Sequence, residues 1–336
     1  MATRAIKRLD QLATPCLIVE EEPLRANLQT MAAALPGLKC RPHVKAHKST
    51  ILAGMQVAAG HRALTCATPR EALGIAAAGL SDDVLLANET VDPIRLAALA
   101  STKARITIAI DSDETVRAAA RAGLTDVVID VDVGLHRCGC RPEEAARLSE
   151  LAQRGGLNVR GVMGYEGHAV GLTDRGERER LTREAMELLI GAHSEVGGEI
   201  ITAGATGTYD CNFWATELQT GSYLLMDTAY ARLGLPFRQA LKVLATVISV
   251  SRSWAVADCG LKALGMDHGL PAIHEAAVWR CADEHVIFRP SGTVAVGEKV
   301  QVLPAHVDPT VAYHDAFWIV NGEDVIDRVA IDLRGW

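Results

Sequence analysis

Several features are missing from this sequence of 336 residues, and each absence excludes a class of protein. No CxxC pair occurs among the eight cysteines, which fits a reducing compartment. No apolar run approaches the ~20 residues of a membrane span. The formal net charge is -7, and the basic residues do not cluster into a stripe. We therefore expect neither nucleic acid nor a membrane as a partner.

The first ten residues are polar and mixed, so we expect no signal peptide there. We therefore expect a cytoplasmic protein. Cys138 and Cys140 are the only close cysteine pair, and one intervening residue is poor spacing for a disulfide or a metal, so packing thiols are expected. The length and the 49% of hydrophobic residues predict a globular chain of two unequal domains.

Short apolar segments alternate with Ala- and Leu-rich amphipathic segments from Cys16 to about residue 236. Eight strand-helix units of this kind predict parallel, buried strands in a (β/α)8 TIM-like barrel of the α/β class. A doubly wound sheet is the alternative, but no GxGxxG motif supports it. The predicted strands are CLIVE (from Cys16), KCRPHV (from Lys39), ALTCA (from Ala63), DVLLAN (from Asp83), RITIAI (from Arg105), DVVIDVD (from Asp126), VRGVMGY (from Val159) and IITAGA (from Ile200).

The pattern changes after Pro236 to Val-, Ile- and Trp-rich alternation with Gly, Asn-Gly and Pro breaks. This pattern predicts a second, mainly antiparallel β domain. We expect the barrel over residues 12–236, and the β domain over residues 1–11 together with 237–336.

The segment RPHVKAHKST, residues 41–50, concentrates basic groups. In a strand, Arg41, His43, Lys45 and His47 would share one face. A Lys crowded by cationic groups is pushed toward its neutral, nucleophilic form, which makes Lys45 a Schiff-base candidate. The alternative is a solvated edge with ordinary surface charge.

Polar residues follow the later predicted strands, and catalytic groups of such barrels lie at the carboxyl ends of the strands. Each residue alone could cap a helix or line a loop, but together with Lys45 they predict a site at one end of the barrel. They are Arg137 in DVGLHRCG; Tyr165, Glu166 and His168 in GYEGH; and Thr206, Gly207 and Thr208 in AGATGT.

Two Gly- and hydroxyl-rich segments, AGATGT and ELQTGSY (Glu217 to Tyr223), expose backbone N–H groups that suit a phosphate. They can also be plain connectors. With a nucleophilic Lys in the same barrel, they predict pyridoxal 5'-phosphate as cofactor.

In the second domain, PAHVDPT places His306 and Asp308 two residues apart. At strand spacing their side chains point the same way, so they are candidate ligands of a divalent cation. HxD also occurs by accident. For Asp258, His268 and His314 a surface role is the simpler interpretation.

These segments, RPHVKAHK, DVGLHRCG, GYEGH, AGATGT, ELQTGSYLLMD and PAHVDPT, together resemble the D-threonine aldolase and D-serine dehydratase family, in the same order along nearly the whole chain. The resemblance is nearer to the aldolases. It implies a fold-type III pyridoxal-phosphate enzyme with an alanine-racemase-like barrel and a β domain.

The resemblance also implies roles for individual residues. Lys45 forms the Schiff base, Arg137 lies near the ring oxygen, Tyr165 packs beside the ring, and Lys45, His168 and Arg137 are the expected catalytic residues. Gln219 aligns with an Arg of alanine racemases that faces the pyridine nitrogen, and a neutral Gln makes racemisation a less natural outcome. The phosphate would be bound by Thr206, Gly207, Gly221, Ser222 and Tyr223, and the metal by His306 and Asp308.

The second metal ligand separates members of the family. The dehydratase members of the family look like they carry HxC at this position, a pair that suits zinc. This chain has Asp308 in the second position, as the aldolases do. Some hydroxyaspartate-processing relatives share HxD. A carboxylate favours harder cations, so Mn2+ is expected, with Mg2+, Co2+ or Zn2+ as alternatives.

The implied reaction is cleavage of a D-3-hydroxy amino acid, with D-threonine giving glycine and acetaldehyde. The substrate would displace Lys45 from the cofactor, His168 or a water on the metal would remove the β-hydroxyl proton, and the Cα–Cβ bond would break. The alternatives are a D-serine or 3-hydroxyaspartate dehydratase, which gives a keto acid and ammonia, and a non-enzymatic pyridoxal-phosphate carrier, which has no use for a metal. A homodimer is expected by resemblance to racemases, with His306 and Asp308 available to the partner's Lys45.

Overall fold

The computed structural model of this chain describes residues 6–336, which form two compact units. The barrel unit comprises Met31–Lys45, Leu52–Gly221 and Leu333–Trp336. The β unit comprises the described residues up to Thr30, with Ala46–Ile51 and Ser222–Asp332. Residues 1–5 of the predicted β domain lie outside the described residues.

The elements alternate first and then become strand-rich, as the sequence predicts. No helix within residues 6–336 is long and apolar enough to cross a membrane. The strands are β1 (Cys16–Glu20), β2 (Ala63–Cys66), β3 (Asp83–Leu86), β4 (Arg105–Ile110), β5 (Asp126–Asp130), β6 (Asn158–Met163), β7 (Ile200–Ala203), β8 (Glu217–Leu218), β9 (Leu241–Val250), β10 (Ala255–Ala257), β11 (Ala272–Ile273), β12 (Ala276–Cys281), β13 (Val286–Pro290), β14 (Lys299–Leu303), β15 (Ala316–Asn321) and β16 (Asp324–Ala330). The helices are α1 (Glu21–Ala34), α2 (Thr50–Ala58), α3 (Pro69–Ala77), α4 (Pro93–Ala100), α5 (Asp113–Ala122), α6 (Ala145–Arg154), α7 (Gly167–Val170), α8 (Arg175–Val196), α9 (Thr228–Ala231) and α10 (Val307–Ala312).

The barrel unit contains one parallel sheet in which β2 to β8 lie side by side in chain order. Residues 40–43 link its two edges, because Cys40 bridges to Leu218 of β8 and His43 bridges to Thr65 of β2. The strands are short and buried along nearly their whole length, and helices lie between them in sequence. The predicted TIM-like barrel is confirmed.

Membership of the barrel differs from the prediction at three segments. CLIVE is β1, which pairs with β9 and β15 in the other sheet. KCRPHV makes only single bridges, at Cys40 and His43. Glu217–Leu218, predicted as part of a loop, is the eighth segment of the barrel instead. Composition misleads here because β1 is as apolar and as buried as the barrel strands.

Local chemistry fixes where the barrel helices begin. The Thr68 side chain accepts the N–H of Glu71 at the start of α3. Ser112 and Thr115 form a reciprocal capping box at the start of α5, which ends at Gly123 with φ of 80°. These caps hold each helix directly after a strand and so define the carboxyl-end loops.

The strand starts are joined by ion pairs of two buried arginines, Arg41 and Arg160. Arg41 contacts Glu217 at 2.7 Å and Asp83 at 3.2 Å, and Arg160 contacts Asp83 and Glu199, each at 2.8 Å. Burial would raise the pKa of Asp83, but the hydrogen bonds and charges of Arg160 and Arg41 outweigh it and lower that pKa to about 2. These residues form the start-end ion network of the barrel.

The β unit contains a nine-stranded sheet in the order β10-β13-β12-β11-β14-β9-β1-β15-β16. An additional pairing of β10 with β9 closes six of these strands into a ring. All pairs are antiparallel except β1 with β15. The predicted, mainly antiparallel β domain is therefore confirmed.

Candidate active site

The Lys45 segment does not have the strand conformation that its sequence predicts. Val44–Ala46 forms one turn of 3-10 helix, so alternate side chains do not share a face. The Arg41 guanidinium is bound by Glu217 and Asp83. The anion that compensates Arg41 is thus a pair of protein carboxylates, and the predicted row of four basic groups is wrong.

The two histidines of the segment have local partners. The Lys45 N–H donates to His43 Nδ1 at 3.5 Å, at the limit of a hydrogen bond. The Ser49 N–H donates to His47 Nδ1 at 3.1 Å, and His47 is fully buried. Both rings therefore stabilise the turns beside Lys45.

Three predicted site residues do come together in the barrel unit. Lys45 Nζ lies 5.9 Å from the centroid of the Tyr165 ring, and Arg137 Cζ lies 5.3 Å from the same centroid. No carboxylate forms an ion pair with Lys45 among residues 6–336. An aromatic ring with two cations beside it suits an anionic, aromatic ligand. The residue types present thus fit pyridoxal phosphate.

Arg137 also lies near a carboxyl group that sequence reasoning missed. Asp130 ends β5, and its pKa is raised well above the usual range by burial, and further by the charge of Glu89. Arg137 opposes this shift. Cys138 and Cys140 are both free thiols. Cys140 is buried, as expected of a packing thiol, but Cys138 is exposed, so that prediction is wrong for Cys138.

His168, in α7, presents a buried polar atom that lacks a partner. Its Nδ1 has no hydrogen-bond partner among residues 6–336. A Cβ at Gly134, where φ is 113°, would lie 3.2 Å from His168 Cε1, so the glycine leaves room for the ring. An imidazole nitrogen of this kind can accept or hold a proton of a bound molecule.

The glycines of the two predicted phosphate loops stand where the backbone runs close to another segment. A Cβ at Gly207 would overlap the carbonyl oxygen of Val170, and one at Gly221 would lie 2.6 Å from the carbonyl oxygen of His43. Within residues 6–336, the N–H of neither glycine finds an acceptor. Such N–H groups suit the oxygens of a phosphate.

The other predicted cofactor residues have the following surroundings. Thr206 and Tyr223 are buried, and Ser222 Oγ lies 3.5 Å from Asp308 Oδ2. Gln219 Nε2 donates to Thr202 Oγ1 at 3.0 Å, which leaves the Gln219 oxygen as the group for another partner. Thr206, Gly207, Gln219 and Gly221 belong to the barrel unit, whereas Ser222 and Tyr223 belong to the β unit.

The predicted metal ligands meet in the β unit, but not through strand geometry. His306 precedes α10 and Asp308 lies in its first turn. His306 Nε2 is 3.7 Å from Asp308 Oδ2, while His306 Nδ1 donates to Asp267 Oδ2 at 2.7 Å. Metal-binding histidines typically donate their second ring N–H to a carboxylate in this way. The donor set therefore fits a divalent cation.

Sequence reasoning missed Asp267 and assigned His268 a surface role, which the structure corrects. The ring of His268 stacks on His306 with centroids 3.9 Å apart, and ligand atoms of Asp267, His268 and His306 lie within 4.8 Å of one another. We call Asp267, His268, His306 and Asp308 the His306 cluster. Asp267 and His268 could not be predicted as neighbours of His306 from the spacing of residues, because they are far from the HxD pair in sequence.

The remaining polar candidates have structural partners. Asp258 accepts the Thr14 hydroxyl and the Thr246 N–H, each at 2.6 Å. His314 Nε2 donates to the Ala263 carbonyl at 3.0 Å, and burial lowers the His314 pKa. These contacts fix the β unit and are not part of the His306 cluster.

Comparison with known proteins identifies the family of this chain. The family model "Alanine racemase, N-terminal domain" matches residues 19–229, and "Putative serine dehydratase domain" matches residues 240–320. The chain is 34% identical to D-threonine aldolase of Arthrobacter sp., over 98% of this chain and 94% of that protein. It is 32% identical to 3-hydroxy-D-aspartate aldolase of Paracoccus denitrificans, over 97% and 93%. The crystal structure of D-threonine aldolase from Filomicrobium marinum superposes with a TM-score of 0.93 at 31% identity, covering 100% of this chain and 99% of that one.

A barrel with an amine and an aromatic ring at the carboxyl ends of its strands, followed by a β domain, defines the class of alanine-racemase-like, pyridoxal-phosphate-dependent enzymes. Within that class, the chain belongs to the D-threonine aldolase and D-serine dehydratase family, as its motifs predict. Its named aldolase relatives are carbon–carbon lyases.

Proposed function

We propose that this enzyme cleaves D-3-hydroxy amino acids, with pyridoxal 5'-phosphate and a divalent cation, so that D-threonine yields glycine and acetaldehyde. The observation that carries the proposal is the uncompensated Lys45 amine beside Tyr165 and Arg137. Relatives named as aldolases, matched over nearly the whole chain, support the type of reaction.

Lys45 would hold the cofactor through its amine, Tyr165 would pack against the cofactor ring, and Arg137 would stabilise the negative charge of that ring. The N–H groups of Gly207 and Gly221 would bind its phosphate, together with Thr206, Ser222 and Tyr223. When bound, pyridoxal phosphate supplies an electron sink for the bond that breaks at Cα.

In the β unit, His306 and Asp308 offer one nitrogen and one oxygen donor, and Asp267 fixes the His306 ring by accepting its Nδ1 proton. A divalent cation there supplies positive charge that stabilises an ionised substrate hydroxyl. Mn2+ is the proposed ion, with Mg2+, Co2+ or Zn2+ as alternatives, because the pair combines imidazole with carboxylate.

His168 is the proposed proton acceptor for the β-hydroxyl, since its Nδ1 is buried and has no partner among residues 6–336. The proton moves from the hydroxyl to His168, the Cα–Cβ bond breaks, and the aldehyde leaves. The proton that His168 has taken balances the proton that Cα gains to complete glycine.

The deciding experiment supplies D-threonine, pyridoxal phosphate and Mn2+ to the purified enzyme, and measures glycine plus acetaldehyde against keto acid plus ammonia. We expect the first pair, with L-threonine as the stereochemical control. The second pair from D-threonine or D-serine would establish a dehydratase, the alternative favoured by the match at residues 240–320 to a serine dehydratase domain. A non-enzymatic carrier is not retained, because the relatives matched over nearly the whole chain are named as enzymes.

Metal dependence has its own test. We expect His306→Ala and Asp308→Ala to lose the chelator-sensitive activity while the cofactor absorbance remains, because the ligands and Lys45 belong to different units. The control is His285→Ala, an exposed histidine of the β unit. Wild-type activity that survives exhaustive chelation would refute the metal requirement.

We also propose a cytoplasmic homodimer. Eight free cysteines fit a reducing compartment, and the dimer is proposed by resemblance to racemase-like relatives. Light scattering on the purified enzyme tests the dimer, and a monomeric mass with full activity would exclude it.

A further inference from the structure

Glu166 is a buried carboxylate that the proposed reaction does not use. It follows β6 in the segment GYEGH and is 0% exposed. No cationic side chain forms an ion pair with it in the part of the chain that the structure describes. A buried carboxylate without a cation is costly unless several hydrogen bonds stabilise it.

Those hydrogen bonds come from one loop. Glu166 Oε2 accepts the Gly204 N–H at 3.0 Å, and Oε1 accepts the Thr208 hydroxyl at 2.8 Å and the Asn212 amide at 2.9 Å. All three donors lie within residues 204–212, which follow β7. The loop is therefore folded around the carboxylate, and its shape depends on three donors reaching one side chain.

This fold decides which N–H groups of the loop stay available. The Ala205 N–H donates to Thr208 Oγ1, and the Thr208 N–H donates to the Ala205 carbonyl, each at 3.2 Å. The Gly204 N–H is taken by Glu166. The N–H of Gly207 has no acceptor among residues 6–336.

A second contact holds the same loop from the same side. The backbone of Gly207 runs so close to the Val170 carbonyl that no Cβ fits between them. Val170 ends α7, the short helix that begins directly after Glu166. Residues 166–170 thus contact the loop in two ways, through the Glu166 carboxylate and through close packing of the Val170 carbonyl against Gly207.

We propose that Glu166 is the positioning residue of the cofactor phosphate, holding residues 204–212 so that the Gly207 N–H is presented to a phosphate oxygen. This inference rests on the proposed function, which supplies pyridoxal phosphate as the ligand. Glu166 acts through the loop and touches neither the substrate nor the reacting atoms.

The carboxylate is specifically required because both of its oxygens accept. A glutamine could still accept from Thr208 and Asn212 through its oxygen. Its amide nitrogen would then meet the Gly204 N–H, donor against donor, and the loop would have to shift.

The test compares two ligands that differ only in the phosphate. Titration of cofactor-free, full-length enzyme with pyridoxal phosphate and with pyridoxal, followed by absorbance, gives both Kd values. We expect Glu166→Gln to weaken pyridoxal phosphate roughly 10- to 100-fold and pyridoxal by less than about twofold. Thr208→Val removes one donor and should weaken pyridoxal phosphate alone by up to about tenfold, which keeps the test open if Glu166→Gln does not fold.

Glu217→Gln is the matched control, with the same substitution at a buried glutamate of the start-end ion network. It should lower the Tm and leave the ratio of the two Kd values unchanged. If Glu166→Gln leaves both affinities unchanged, or weakens both equally, the positioning role is refuted. Wild-type enzyme that binds neither ligand would instead refute the cofactor assignment, a result that the variants cannot produce.

Discussion

The two ends of the barrel treat positive charge in opposite ways. At the strand starts, Arg41 and Arg160 are almost fully buried, and both contact Asp83. At the strand ends, Lys45 and Arg137 lie beside an aromatic ring, and Lys45 has no carboxylate partner among residues 6–336. One end compensates its charges within the protein, and the other leaves them for a ligand.

This difference separates stability from function within one fold. Removing one member of a buried ion pair strongly destabilises the fold, because the other charge stays buried and unpaired. An uncompensated cation at the strand ends contributes little to folding but binds and activates an anionic ligand. Substitutions at the two ends should therefore change different measurements.

The largest effect is expected at the strand ends. Lys45→Ala removes the nucleophilic amine, so activity should fall by roughly 10^4-fold or more, and the borohydride-reducible cofactor adduct should disappear. The Tm should barely change, because Lys45 has no ion-pair partner among the described residues. Lys39→Ala, at an exposed lysine, is the control, and an adduct that persists in Lys45→Ala would place the Schiff base at another lysine.

The next effect belongs to the strand starts. Arg160→Met removes a buried guanidinium and its bonds to Asp83 and Glu199, so the free energy of unfolding should fall by about 2–3 kcal/mol. The loss is moderate because Asp83 keeps Arg41 and Glu199 is exposed. Activity per folded molecule should stay within about twofold. Arg154→Met removes only an exposed pair with Glu150 and should cost less than ~1 kcal/mol in urea unfolding. Lost activity in a folded Arg160→Met enzyme would contradict the separation of the two ends.

The start-end ion network should also set part of the acid sensitivity. The folded-state pKa of Asp83 is about 2, below its ordinary value of 3.8. Its stabilisation is therefore complete above about pH 4 and is lost as the pH falls through about 2, by roughly 2 kcal/mol in total. Unfolding free energies of wild type and Asp83→Asn between pH 5 and pH 2 measure this, and the variant should show the flatter curve. Equal slopes would show that Asp83 does not contribute.

The smallest expected effect tests whether the His306 cluster serves metal binding, as the strand ends of the barrel serve the ligand, or stability, as the strand starts do. Asp267→Asn keeps the shape but weakens the bond that fixes the His306 ring, so affinity for Mn2+ should fall roughly tenfold, the lower end of such effects, because Asp267 is 56% exposed. Calorimetric titration with Mn2+ measures this, with Asp283→Asn as an exposed control. A lower Tm with unchanged affinity would assign Asp267 to stability.

The barrel could be predicted from the sequence because each of its strands is recognisable from its local hydrophobic pattern. Short segments buried on both faces, separated by amphipathic helices, have a periodicity that needs no knowledge of pairing. The same reasoning failed for CLIVE, whose neighbours in the sheet are β9 and β15. Pairing over such separations leaves no trace in local composition.

The candidate site was predictable where chemistry coincides with a strand end. Lys45, Tyr165 and Arg137 follow this rule and lie together. The prediction that Arg41 shares a face with Lys45 was wrong, because Arg41 pairs with Asp83 and Glu217, which are distant in sequence. The alternation of side chains along a strand gives no information about such an ion pair. Glu166 was noticed as polar, but its role depends on a loop conformation that only the structure reveals.

The position of β1 has a consequence for how the chain is made. Leu17 of β1 lies beside Val243 of β9 on one side and Phe317 of β15 on the other. Synthesis proceeds from the amino terminus, so this apolar strand leaves the ribosome long before either neighbour exists. All strands of the barrel sheet have been made by the time β9, the first neighbour of β1, is synthesised. The β unit can therefore be completed only after β15 has been made, and until then β1 is an unpaired sheet edge that must be kept from other chains.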